Sequence, residues 1–320
     1  MPTVWFRRRT VQAAVPPRTA ALFMAAFLVA NAGAGCGRVE PDEARLAPGV
    51  FFRRERAAGA QVVDVDLSRA PVRATVVAEG VEPVRNNLVG DCRTVPEWAE
   101  RRGAVAGLNG GFFGHTYDDR GRRKQIVGLA VSGGNIVAPG GIVRSRTTPG
   151  ERFLRAAIGF RADGTPDIAW AAGARGGRLL RYGEPVNPGN GAPWRVTSAV
   201  ACGPRLFVRG ERRITDREER LASNRELPRA FAAYDLVNGK PDHFVIGRAD
   251  AMEFEQVADF LAAYFRRRHG TAPYDALCLD GGPSAQLVYR DEAGTLHDAE
   301  PTGVLVPTVL LLLPKEKPTP

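Results

Sequence analysis

The sequence predicts an α+β fold: a mixed, largely antiparallel twisted sheet with a few flanking helices, in a single domain. Three observations carry that prediction. Strand-like segments dominate from about Val50 onward, and two are closed by Asp163-Gly164 or Asn238-Gly239, the residue pairs that tight hairpin turns favour. Only two stretches carry clear helical spacing. No linker-like composition interrupts 51–314.

The first 36 residues stand apart from the fold. Arg7-Arg8-Arg9 and Arg18 precede an apolar run from Ala20 to Ala30, and small residues lead to Gly33-Ala34-Gly35-Cys36. A basic region, a short apolar region and a small-residue cleavage site make a secretory signal peptide. The apolar run is shorter than the roughly 20 residues that a membrane-spanning helix needs. Two readings of Cys36 stay open. Small residues before a cysteine resemble a bacterial lipobox, which would make Cys36 a lipidation site and the protein an envelope lipoprotein anchored to a membrane. Gly33 replaces the usual leucine of that pattern, and an ordinary secretory signal leaves a secreted or periplasmic protein. Residues 37–50, with Pro41 and Pro48, read as a tether.

From there the elements follow in order. Gln61–Leu67 alternates apolar and polar residues as a half-buried strand does, and Val72–Val77 does so less cleanly. Thr94–Arg102 reads as a helix, with Thr94 as cap, Pro96 and Glu97 early and Gly103 just past its end. Ala104–Leu108 is a short buried strand that ends at Asn109. Residues 126–137 form a hairpin around Ser132-Gly133-Gly134-Asn135. Two similar hairpins follow, one from Arg155 through Gly164 and one from Arg229 through Gly239. Asp250–His269 is the clearest helix. Phe254, Val257, Ala258, Leu261, Ala262 and Phe265 share one face, Arg266-Arg267-Arg268 complement the dipole, and Gly270 ends it. Ala276–Leu279 and Gln286–Tyr289 are strands on either side of a loop. Val304–Leu313, broken by Pro307, supplies the last, and 315–320 is a tail.

Charge and cysteines narrow the function classes. Of 44 basic residues four lie in the leader, which leaves 40 against 35 acidic ones, a net charge near +5. That is mild, no zinc finger or compact basic-aromatic array is present, and nucleic acid is not expected as a partner. The residual positive charge favours anionic substrates. No CxxC or HxxxH spacing occurs, so neither a metal nor another cofactor is expected. His115 with Asp118 and Asp119 supplies an acid or a weak divalent-cation site, or is a solvated loop. Cys92 and Cys202 are the more plausible disulfide pair if one forms, since Cys278 lies inside an apolar strand.

Three glycine-bearing loops follow buried strands: Asn109-Gly110-Gly111, Cys202-Gly203-Pro204-Arg205 and Asp280-Gly281-Gly282-Pro283-Ser284. Glycine admits positive φ and close backbone approach, and adjacent N–H groups can cradle an anion. Each loop can equally be a tight turn and nothing more.

Four segments resemble the phosphodiester glycosidase family. Leu108-Asn109-Gly110-Gly111-Phe112-Phe113 resembles its INGGFF segment. The segment from Ala201 to Gly210 resembles GGGPLLVKDG. Pro228-Arg229-Ala230-Phe231-Ala232 resembles PRTAIG, and Leu279-Asp280-Gly281-Gly282-Pro283-Ser284-Ala285 resembles LDGGGSS. They come in the family's order, and the resemblance covers roughly 50–314. Ala230 stands where the family has threonine, Pro283 where it has glycine, Cys202 where it has a small residue, and Arg205 where it more often has an apolar one.

The resemblance implies a hydrolase that cleaves a glycosyl-1-phosphodiester bond in an envelope or extracellular glycan. Many bacterial relatives are described only as exopolysaccharide-related. In that chemistry Arg229, then Arg205, would hold phosphate. Asp280 would serve as general base or oxocarbenium stabiliser. Asn109 and the N–H groups of Gly110, Gly111, Gly281 and Gly282 would orient substrate oxygens, with Phe112 and Ser284 beside them. Bland alternatives stand next to each: Asp280 as an Asx-turn cap, Arg229 as an ion-pair partner, Asn109 as a residue tolerating positive φ. At the level of the whole protein the alternatives are a non-catalytic binding module and an assembly lipoprotein for anionic envelope polysaccharide.

Overall fold

The computed structural model describes residues 42–145, 148–221 and 225–315. The leader, Cys36 and residues 37–41 lie outside that range. The described residues form one compact unit. The expected tether is shorter than 37–50: Glu43–Ala47 is a strand paired with Val50–Glu55. Leu46 is buried there, which gives the segment a reason to stay on the sheet.

The α+β expectation holds, and each strand pairing among the described residues is antiparallel. Three large sheets face one core. The eight-stranded sheet carries, at its centre, Ala60–Asp66, Lys240–Met252, Leu227–Val237 and Asp275–Cys278. The seven-stranded sheet is centred on Ser198–Cys202 and Ala156–Phe160. In the five-stranded sheet, Ala106–Asn109 lies between Leu287–Arg290 and Val309–Pro314. Val63, Phe244, Ile158, Trp170, Leu108 and Leu310 meet between them in one continuous cluster.

The two helices cover outer faces. α1 (Val95–Arg102) packs Trp98 and Ala99 against Val288, Val309 and Leu311. Its start is the one expected: Thr94 and Glu97 form a reciprocal capping box, and Gly103 ends it at φ 60°. α2 (Phe254–His269) lays Val257, Leu261, Tyr264 and Phe265 on Val62, Phe231 and Val245. Both faces of Ala60–Asp66 are therefore covered, and its alternation separates two cores, with only its last residue half-buried.

α2 starts later than Asp250. Residues 250–252 continue the preceding strand, where Met252 pairs with Leu227, and the Glu253 N–H donates to Gln256 Oε1 at 2.6 Å as the helix begins. The Cys92–Cys202 disulfide does not form. Cys92, Cys202 and Cys278 are buried free thiols, and burial pushes each thiol up.

Candidate active site at the end of the Asp275–Cys278 strand

The four motifs converge through backbone hydrogen bonds. The Leu279 N–H donates to the Ala230 carbonyl at 2.8 Å, which ties the last loop to the arginine segment. The Gly203 N–H donates to the Cys278 carbonyl at 3.1 Å, and the Cys278 N–H to the Pro204 carbonyl at 2.9 Å. The Gly203–Pro204 peptide is cis. The Asp280 N–H reaches the Gly110 carbonyl at 3.2 Å.

Asn109 is the clamp of this junction. Its side-chain N–H donates to the Asp280 carbonyl at 2.7 Å, and its side-chain oxygen accepts from the Gln286 N–H at 3.1 Å. It is fully buried, and positive φ is not the reason for it. Asn109 positions the Asp280 loop and does not line the cavity beside it.

Gly110 and Gly111 also act as structure. Their N–H groups donate to the Thr308 carbonyl and Thr308 Oγ1, at 2.9 and 3.0 Å, so these two donors are committed within the protein. A side chain at either would collide with its neighbours. A Cβ on Gly110 would stand 2.3 Å from Thr308 Oγ1, and one on Gly111 2.2 Å from the Ala201 carbonyl oxygen. The expected anion cradle therefore shrinks to the Gly281-Gly282 half.

The cavity itself, about 350 Å³, is lined by Asp280, Gly281, Gly282, Pro283, Phe112, Arg229 and their apolar neighbours Leu221, Leu227, Phe254 and Leu279. Gly282 sits at φ 61° with open space where a side chain would project. Asp280 is the carboxylate of this cavity. Burial pushes its pKa up to about 6, against the opposing Ser284 hydrogen bond, the Gly281 N–H and the charge of Lys124. Ser284 is buried behind it. A carboxyl group that changes ionisation near neutrality suits acid–base chemistry.

Arg229 is on the cavity wall. Its Nε donates to the Met252 carbonyl at 2.8 Å and its Nη2 to the Arg225 carbonyl at 2.5 Å, while the guanidinium stacks 4.1 Å from the centre of the Phe254 ring. Burial lowers its pKa from the usual arginine value. Carbonyls and a ring fix its plane.

Arg205 is not brought to this cavity. It is buried beneath the loop in an ion pair with Asp275, 4.5 Å over the Trp170 ring, with Tyr234 donating to the same carboxylate at 3.0 Å. In the strand its side chain is turned to the central core, where the family's more usual apolar residue would also fit. Its expected place as a phosphate ligand gives way to a structural one. His115, Asp118 and Asp119 line a separate, wider depression of about 770 Å³, where Asp118 accepts from the Arg123 N–H at 3.1 Å. That depression is larger, but no residue of the four motif segments lines it. Among the described residues no cluster of three or more metal-ligating side chains occurs.

Sequence reasoning missed Thr308, Gln286 and Glu219. Glu219 is fully buried under Gly203 and accepts from Ala156 N, Trp170 Nε1 and Thr215 Oγ1 at 2.8, 3.0 and 2.6 Å. Thr308 and Gln286 each gave a signal, as single polar residues within apolar runs. Glu219 gave none, being one acid among the charges of 216–220.

A family model described as phosphodiester glycosidase matches residues 102–313, which hold all four motifs. No curated protein matches the chain. Two solved structures show a distant likeness in fold. One is a candidate exported protein of Burkholderia pseudomallei K96243, at 16% identity and TM-score 0.49, covering 80% of this chain and 74% of that one. The other is a hypothetical protein of Synechocystis, at 14% identity and TM-score 0.47, covering 84% of this chain and 60% of that one. With about two thirds of its length matched by the family model, including each loop that meets at Asp280, the chain belongs to the phosphodiester glycosidase family.

Proposed function

We propose that the protein hydrolyses a glycosyl-1-phosphodiester bond of an envelope or extracellular glycan. At the level of the family it is a glycosidase-type hydrolase. The observation that carries the finer reading is the half-buried Asp280 carboxylate, with a pKa of about 6, in a cavity whose wall also holds Arg229. Ionised Asp280 either takes a proton from the attacking water or stabilises the oxocarbenium-like carbon. Water oxygen bonds to the anomeric carbon, the bond from that carbon to the phosphate oxygen breaks, and the phosphomonoester leaves with that electron pair. Arg229 faces the phosphoryl side, and the Gly282 N–H and Ser284 orient substrate oxygens.

Purified protein is expected to release free sugar from an α-sugar-1-phosphodiester, with the rate unchanged by chelator, and Asp280→Asn is expected to abolish release without unfolding the domain. Unaltered release by Asp280→Asn would remove Asp280 from the mechanism. Saturable binding of an anionic envelope polymer with no product after long incubation would favour the binding-module alternative.

The site of action belongs to the same proposal. The leader of residues 1–36 exports the protein, and lipid on Cys36 anchors it to the envelope membrane. Fatty-acid labelling that persists in Cys36→Ser would refute the anchor.

A further inference from the structure

A second cavity is linked to the first through the packing of Arg155 on Phe112. It is a groove of about 540 Å³ walled by Phe153, Arg155, Val127, Ile142 and Val143. Arg155 is held between two rings, 5.5 Å from the centres of both Phe112 and Phe153. Its Nη1 is buried and meets no acceptor among the described residues. The carboxylate that acts on it, Glu219, is already taken by four donors from elsewhere. A desolvated guanidinium donor without an acceptor is costly. The rim is unusual in the opposite sense. Of the four exposed large apolar side chains among the described residues, three, Val127, Ile142 and Val143, stand on this groove.

A cation at the base and aliphatic side chains at the rim match an amphiphilic anion. Phe112 is common ground, since it lines the Asp280 cavity and packs on Arg155. We propose that the groove is the aglycone subsite, and that it takes a phosphate ester of an aliphatic alcohol, with Arg155 joining Arg229 on the phosphoryl oxygens and the alkyl chain across Val127, Ile142 and Val143. The substrate class is then a sugar phosphodiester of a lipid-like alcohol. This rests on the hydrolase reading above for the sugar side, and on the groove alone for the aglycone side.

The test is direct binding of butyl, hexyl and octyl phosphate to the full chain by calorimetry, below micelle-forming concentrations, with inorganic phosphate and octyl glucoside as controls. Affinity is expected to rise about fourfold per methylene carried into the groove. Arg155→Met is expected to weaken octyl phosphate at least tenfold. Val143→Asp, at an exposed position, is expected to keep the melting temperature and inorganic phosphate binding while flattening the dependence on chain length. Equal affinity for all three esters overturns the proposal. So does full binding by Arg155→Met, or loss confined to Arg229→Met. If Arg155→Met fails to fold, the Val143→Asp series decides alone, and an unchanged chain-length dependence overturns it. Hydrolysis of a sugar phosphodiester without alkyl phosphate binding would leave the hydrolase reading standing and this one refuted. Alkyl phosphate binding through Arg155 without hydrolysis would do the reverse.

Discussion

Burial sets the working range of Asp280. Its carboxyl ionises at about 6, above the ordinary value near 3.9. Both roles considered for it need the anion, so kcat/KM is expected to rise about tenfold per pH unit below 6 and to level off above it. A profile that falls through this range would make Asp280 the general acid instead. The loss of release expected for Asp280→Asn corresponds to a fall in kcat of at least about 10². The same shift has a consequence for stability. The folded pKa is raised, so the stabilisation is complete below about pH 4 and is lost as pH rises through 6. Asp280→Asn removes that loss, and is expected to be more stable than the parent by about 1–2 kcal/mol at pH 8 and equal to it at pH 4. Denaturant titrations at the two pH values check it. At this scale the sequence was informative where chemistry and backbone coincide: Asp280, Gly282 and Phe112 all line the cavity. It misled at Arg205 and at the Gly110 and Gly111 N–H groups, because which face a strand residue takes, and which donors Thr308 already holds, are settled by partners about 70 and 200 residues away.

Elements hold these residues in register, and their boundaries were legible wherever the signal was local. Thr94, Pro96, Glu97 and Gly103 lie within ten residues of one another, and the helix they bound is the one that forms. Thr94→Ala is expected to cost about 1 kcal/mol in the denaturation free energy, since it leaves the Glu97 N–H without its cap. The start of α2 was less legible because Asp250 to Met252 suit a helix as sequence but are pulled into a strand by pairing with Leu227. The junction between elements is tighter than any cap. Thr308→Val removes the acceptor of the buried Gly111 N–H, and is expected to destabilise by about 1–3 kcal/mol. Because Gly111 leads into Phe112, the same change is expected to lower kcat/KM more than it lowers the melting temperature would suggest. A variant with parental kinetics would show that the Thr308 contact serves stability alone.

Across the whole molecule, Arg205 joins two sheets. Its backbone lies in the eight-stranded sheet, its guanidinium pairs with Asp275 of the adjoining strand, and it rests over Trp170 of the seven-stranded sheet. Tyr234 also donates to Asp275, and buried Glu219 alongside accepts from the Arg205 N–H and from Trp170 Nε1, so these groups form the polar centre of a largely apolar interface. Burial raises the Asp275 pKa despite the neighbouring cation, which means that solvation lost outweighs attraction gained. Breaking such a pair from one side leaves a buried charge alone. Arg205→Met is therefore expected to destabilise the protein by about 3–5 kcal/mol, and Arg205→Met with Asp275→Leu to recover much of that loss, because the pair is replaced by apolar volume. Denaturant unfolding of the single and double variants measures the recovery. The folded double variant is also expected to keep the KM of the parent for a sugar phosphodiester, since Arg205 lies beneath the cavity floor. A raised KM at unchanged kcat would return Arg205 to phosphate recognition, and would mean that substrate reaches through the Gly203-Pro204 turn to a side chain the resting fold keeps covered.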